Sequence, residues 1–259
     1  MQLVMVPRDP RCLAIVPALN EAGAIATTVA ELREHAPGFD IVVVDDGSAD
    51  DTAQLARAAG ARVISLPFNL GIGGAVQTGY RFADAHGYDV AVQVDGDGQH
   101  NPQALPRLLA RLQADPCLNM VTGSRFLAGD GSGFRSSASR RLGIRLFASI
   151  LSRVVGRRVT DPTSGLRMID REGIRLFARD YPHDYPEVEA VLLLHLNRLR
   201  GAEVAVRMRS RTTGVSSINA QRSVYYMLKV LLAIAVGLLR ARPEQAPAER
   251  EPEPALAPA

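Results

Sequence analysis

The chain has no tryptophan, a single lysine and two cysteines. Cys12 and Cys117 stand far apart and form no metal-ligand spacing, so a reduced cytosolic compartment is expected. The first ten residues lack a basic start followed by a long apolar core, so no secretory leader is expected. There is no internal repeat. The apolar run at 224–239 has 16 residues and is interrupted by Lys229. It falls short of the roughly 20 residues that cross a bilayer. Lys229 is the only lysine, so arginine is this chain's default cation.

What remains is an ordinary globular composition: 259 residues, 47% hydrophobic and 22% charged. That length holds one large α/β domain or two small ones. The formal charge of +3 is unevenly placed. Beyond residue 242, four glutamates face only Arg250, a net of −3, which leaves +6 on the rest. Residues 135–211 carry 16 arginines against 8 acids, which suits an anionic partner such as a phosphate or an acidic membrane surface.

Residues 90–94 read VAVQV, an apolar run that ends in Asp95 and, one residue on, Asp97. A buried strand that closes in Asp-x-Asp brings carboxylates to the carboxyl edge of a parallel sheet, where open α/β folds bind ligands. Hard oxygen donors of this kind suit Mg²⁺ or Mn²⁺ holding a diphosphate.

The hydrophobic pattern predicts strands at 12–16, 41–44, 63–66 and 90–94. They alternate with helices at 21–35, 50–59, 74–86 and 102–113. Ser48 is expected to cap the second helix, and Asn101 the fourth, with Pro102 in its first turn. A strand begins at Val121, and this βαβα order implies a mostly parallel, doubly wound sheet. Further on, 129–139 reads as a Gly/Ser loop, 142–155 as helix and 166–169 as strand. Helix 187–199, strand 203–206 and a polar loop at 210–217 follow. Residues 224–239 read as an amphipathic or interfacial apolar helix, with Tyr225, Tyr226, Arg240 and Arg242 suited to the headgroup zone. The Pro/Ala/Glu tail cannot bury enough apolar area to order itself. The domains expected are therefore 1–222, 223–242 and 243–259.

The predicted strand ends carry polar clusters: Pro17, Ala18, Asn20 and Glu21; then Asp45, Asp46, Gly47 and Ser48; then Asn69 to Gly74; then Asp95 and Asp97. Stacked at one sheet edge, they make a nucleotide pocket. IVPALNEAGAI, VVVDDGSADDT, NLGIGGAVQTG and VDGDGQHNP, in that order and spacing, resemble family 2 glycosyltransferases of the GT-A fold. GSRF at 123–126 and DPTSGLRMIDR at 161–171 are similar to the polyprenyl-phosphate sugar synthases, the dolichyl-phosphate mannose synthase type. The resemblance covers residues 12–215.

The resemblance implies roles. Pro17, Ala18, Glu21 and Asp46 would hold the base and ribose of a nucleotide-sugar of UDP or GDP type. Gly71, Gly73 and Gly74 would let the backbone approach it closely. Asp95 and Asp97 would bind Mg²⁺ or Mn²⁺. Arg125, with Arg140 and Arg141, would take an acceptor phosphate, since the guanidinium fork donates two parallel hydrogen bonds. Arg207, Arg209 and Arg211 would close over the donor phosphates. Of the two acids opening the helix at 187, Glu189 is taken with Asp97 and Arg125 as catalytic; pairing of Glu187 and Glu189 with the helix N-terminus is the other reading. The implied activity is inverting transfer to a polyprenyl phosphate for cell-envelope glycans, at the inner membrane face. A small membrane partner or homo-oligomer is compatible, and nucleic acid is not a partner. Transfer to a sugar hydroxyl is the alternative.

Three departures from the family pattern stand out. Gly96 and Gly98 replace bulkier residues in DGDGQH, the absent tryptophan rules out the Gln-x-x-Arg-Trp signature of processive synthases, and the multi-span C-terminal region of some members is not expected. A dinucleotide oxidoreductase built on GIGGAVQTG is a remote reading, because its glycines follow the third strand and not the first.

Overall fold

The computed structural model describes residues 9–127, 138–183 and 186–209, and the side chains of these except 138–142. Strands β1 (Cys12–Ala18), β2 (Phe39–Asp45), β3 (Arg62–Ser65), β4 (Val90–Gln93), β5 (Met120–Ser124), β6 (Arg167–Asp170) and β7 (Gly201–Ala205) form one sheet in the order β3-β2-β1-β4-β6-β5-β7. The pairings β3–β2, β2–β1, β1–β4 and β5–β7 are parallel. β6 alone runs antiparallel, to both β4 and β5. The expected mostly parallel α/β sheet is therefore present, with one reversed strand near its middle.

Alternation along β1 and β2 builds a core on each face. Leu13, Ile15, Val42 and Val44 point to one side. There they meet helices α3 (Gly71–Ala85), α5 (Ala138–Val155), α6 (Arg171–Arg179) and α7 (Pro186–Leu196). Cys12, Ala14, Val16, Ile41 and Val43 point to the other, against α1 (Ile25–His35), α2 (Thr52–Ala58) and α4 (Leu105–Gln113). On α4, Leu105, Leu108 and Leu112 follow a helical repeat and are buried, while Pro106 and Arg107 are exposed.

Several local expectations are corrected. The first helix begins at Ile25, four residues later than expected, because Glu21 and Ala22 donate their N–H groups to Thr52 Oγ1 and Asp50 Oδ2 instead of entering a helix. Ser48 does not cap α2; its hydroxyl accepts from Asn20 N at 2.9 Å, and Asp51 stands at the cap. Asn101 caps as expected, accepting from Gln103 N, but its first turn, Pro102–Ala104, is 3₁₀ before α4 begins. α5 starts at Ala138, four residues before the expected 142, so Arg140 and Arg141 stand in its first turn. α6 was not expected; Asp170 caps it by accepting from Gly173 N, and Ile174 and Phe177 are buried. The expected loop core at 129–137, the polar loop at 210–217, Arg211 and the apolar run at 224–239 lie outside the described residues.

Candidate active site

The carboxyl ends of β1, β2 and β4 meet at one edge. The turn after β1 is tied to the turn after β2: Ala49 N donates to Asn20 Oδ1 at 2.9 Å, and Asp46 N to Ala18 O at 2.9 Å. Asp46 is 3% exposed and accepts from Leu70 N at 2.7 Å, so one carboxylate joins the β2 edge to the start of α3. Pro17, Ala18, Glu21 and Asp46 thus converge as the sequence predicts.

The three glycines in the first turn of α3 divide. Gly71 adopts φ +81° with open space beside it. At Gly73 a side chain would collide with Pro182 O and sit 2.6 Å from His183 Cα, and at Gly74 one would meet Leu70 Cβ at 2.6 Å. The last two glycines therefore serve the chain's own packing.

Asp95 and Asp97 follow β4. Gln93 Nε2 donates to Asp95 Oδ1 at 3.1 Å, and Asp95 N donates to His100 Nδ1 at 2.9 Å. An accepting Nδ1 leaves the ring proton on Nε2, which lies 3.5 Å from Asp95 Oδ2. Gln99 N donates to Asp97 Oδ1 at 3.0 Å, while the Gln99 amide donates to Oδ2. Thr28 Oγ1 donates to Gly96 O, tying the loop to α1. His100 and Gln99 thus orient the two acids. Neither stands out in the sequence, although Gln99 lies two residues after Asp97 and His100 five after Asp95, within reach of a tight loop.

The segment entering β6 lies against this loop. A side chain at Gly165 would fall 3.0 and 3.2 Å from the Asp95 carboxylate oxygens, so it would press on that carboxylate. Arg167, paired with Gln93 across β4 and β6, is 1% exposed. It donates to the carbonyls of Ser164 (2.9 Å), Pro162 (3.2 Å), Pro186 (3.4 Å) and Glu187. One buried cation therefore clamps the 161–165 turn to the start of α7.

Arg125, expected to meet an acceptor phosphate, is engaged otherwise. Its Nε and Nη2 donate to Asp161 Oδ2 and Oδ1, each at 2.7 Å, and Nη2 also donates to Thr163 Oγ1. The pair is buried, at 8% and 0% side-chain exposure. Thr160 N and Asp161 N in turn donate to the Glu203 carboxylate.

Glu187 and Glu189 are both half-buried in the first turn of α7. Burial pushes the Glu187 carboxyl up, Arg167 pulls it down, and the charges of Asp95 and Arg125 also reach it. Its carboxyl therefore belongs electrostatically to the Asp95 edge. Arg207 and Arg209 are exposed; Arg209 grips Glu31 through Nη1 at 2.6 and 2.7 Å, and its N–H donates to Gln99 O. The expected phosphate-closing side chain is thus tied to α1, while its backbone borders the Asp97 loop.

Among the described residues no three His, Cys, Asp or Glu side chains form a closed metal cage. Two hard carboxylates on a loop fit Mg²⁺ or Mn²⁺ better than a caged ion, because such ions are commonly held by one or two carboxylates plus substrate phosphates.

Comparison with known proteins agrees with this edge. The profile of Glycosyl transferase family 2 matches residues 13–177. Undecaprenyl-phosphate mannosyltransferase of Micrococcus luteus is 36% identical over 176 residues, covering 66% of this chain and 70% of that protein. Polyprenol monophosphomannose synthase of Mycolicibacterium smegmatis is 30% identical over 230 residues, covering 85% of each. Among solved structures, glucosyl-3-phosphoglycerate synthase from Mycobacterium tuberculosis, in complex with Mn²⁺ and UDP, superposes with a TM-score of 0.65 at 21% identity. The match covers 88% of this chain and 80% of that one, and establishes the fold. The profile covers more than half of the chain, and one relative is 30% identical over 85% of it: this chain belongs to glycosyltransferase family 2.

Proposed function

We propose that the chain transfers a sugar from a nucleotide-diphosphate sugar, of UDP or GDP type, to the phosphate of a polyprenyl phosphate, with inversion. The observation that carries this is the convergence of Asp46, Asp95 and Asp97 at one sheet edge with the Asp161–Arg167 segment packed on it. Two relatives, one named for undecaprenyl phosphate and one for polyprenol monophosphate, support the acceptor class.

Asp95 and Asp97 would hold the divalent cation, which when bound supplies Lewis-acid stabilisation of the leaving diphosphate. Gln93 and His100 fix the direction of Asp95, and Gln99 that of Asp97. Pro17, Ala18, Glu21 and Asp46 would take the nucleoside. A phosphate acceptor is already anionic near neutral pH, so its oxygen attacks with little general-base help. It needs cations that position it and screen its repulsion from the donor. Arg140 and Arg141, in the first turn of α5, are the candidates, and the Arg125–Asp161 pair braces the neighbouring turn. Glu189 would line the acceptor side, with Glu187 on the Asp95 side. Arg207 and Arg211 would approach the donor phosphates from the segment after β7.

Such an acceptor resides in a bilayer, so the enzyme is proposed to work peripherally at the inner membrane face. No helix among the described residues is long and apolar enough to cross a membrane. The run at 224–239 would cover about 24 Å as a helix, against a hydrocarbon core of about 30 Å. It is proposed as a separate segment that docks on the surface, after a domain spanning 1–222 and before the tail at 243–259.

A panel of nucleotide-sugars assayed with and without polyprenyl phosphate tests the reading. Lipid-dependent nucleotide release is expected, and it should vanish in excess chelator and in Asp97→Ala. Turnover that ignores the lipid and uses sugar hydroxyls would reject the acceptor.

A further inference from the structure

α5 and the turn that follows it, residues 138–159, contain six arginines and no acid. The last turns of α5 and this connection line a cleft of about 610 Å³, with Ser149, Ser152, Arg153, Arg157 and Arg158 on its walls. The Arg157 guanidinium rests against Gly201, at the start of β7, where an added side chain would fall 2.7 Å from both terminal nitrogens. β7 then runs roughly 15 Å before reaching the edge that holds Ser124 and Arg125.

The charges in this cleft are poorly compensated. Among the described residues Arg157 and Arg158 donate no hydrogen bond, whereas Arg153 reaches Ser149 on its own helix. The acid nearest in effect is Glu203, but its two oxygens accept from Thr160 and Asp161. Arg157 is half-buried, and burial lowers its pKa, with Arg200 adding repulsion. Arg153 and Arg158 are exposed and Arg157 is half-buried, so the three guanidinium groups remain open to a ligand from solvent. An anion with several acceptor oxygens would satisfy them, and the planar fork matches phosphate geometry.

We propose that Arg153, Arg157 and Arg158 form a second anion site, specific for a phosphate group and separate from the catalytic edge. The phosphate is either that of an anionic lipid headgroup or that of a free phosphorylated molecule. The site is independent of the transferase reading, because none of these residues belongs to the proposed machinery.

Thermal melts of the full chain against inorganic phosphate, at constant ionic strength in chloride, test it, because a ligand that binds only the folded state raises the melting temperature. Arg157→Gln and the exposed Arg158→Gln are compared with wild type and with Arg107→Gln, an exposed arginine on α4. Each cleft variant should weaken the apparent phosphate affinity by about tenfold. Arg107→Gln should leave it unchanged, as should Arg157→Gln and Arg158→Gln the transfer activity. Flotation with phosphatidylglycerol-containing and pure phosphatidylcholine vesicles then separates the sources. Loss of both phosphate response and phosphatidylglycerol flotation assigns a lipid headgroup, and loss of the phosphate response alone assigns a free phosphorylated ligand. A phosphate response that survives in both cleft variants, with or without altered flotation, overturns the site and leaves only diffuse charge.

Discussion

The Arg125 guanidinium meets the Asp161 carboxylate through two parallel hydrogen bonds of 2.7 Å, and a third bond runs from Arg125 N to Asp161 Oδ2 at 3.0 Å. A buried pair of this geometry fixes the turn after residue 160 to the end of β5. Removing one partner strands the other charge, at a cost of about 3–5 kcal/mol. Asp161→Ala and Arg125→Ala should each lower stability in denaturant titrations by that order. The double variant should be less destabilised than the sum of the two, giving a favourable coupling in the cycle. Additive losses would mean that the pair does not act as a unit.

Gly165 should matter through its contact with Asp95. An alanine there would press on both Asp95 oxygens, at 3.0 and 3.2 Å. Gly165→Ala should raise the divalent-cation concentration needed for half-maximal transfer by about 10–100-fold, the usual effect of disturbing a ligand's support. Gly38→Ala, where a side chain meets nothing within 4 Å, is the control and should behave as wild type. Equal cation dependence in the two variants would show that the contact does not position Asp95.

The pH dependence of stability follows from Glu187. Its folded pKa is raised, chiefly by burial, above the ordinary carboxyl value of 4.5. The folded state therefore binds this proton more tightly than the unfolded state does. Its contribution is fully present below the unfolded pKa and is lost as pH rises through the folded pKa. Glu187→Gln keeps the neutral form at every pH. The stability difference between variant and wild type should thus move in the variant's favour as pH rises from 4 towards neutrality. A difference that stays flat with pH would place the Glu187 carboxyl in water.

The alternating core was legible in the sequence because Val42, Val43 and Val44 and their counterparts on β1 and β4 are apolar on both faces, as buried parallel strands require. The nucleotide edge was legible because each parallel strand in the first half ends in its polar cluster. What stayed hidden depends on distant partners. Ser48 looks like a helix cap until Asn20, 28 residues earlier, takes its hydroxyl. Arg125 looks like a free phosphate ligand until Asp161, 36 residues later, takes its fork. α6 was missed although Asp170 and Gly173 carry a cap signal, because only nine residues follow and four of them are charged.

In the proposed reaction the sugar ends on a lipid phosphate. The most direct measurement is mass spectrometry of the organic extract after incubation with nucleotide-sugar, divalent cation and polyprenyl phosphate. A glycosyl phosphodiester of the polyprenol is expected, absent when Asp97→Ala replaces the wild-type chain. Recovery of the lipid as unchanged phosphate monoester, while sugar appears on hydroxyl acceptors, would contradict it.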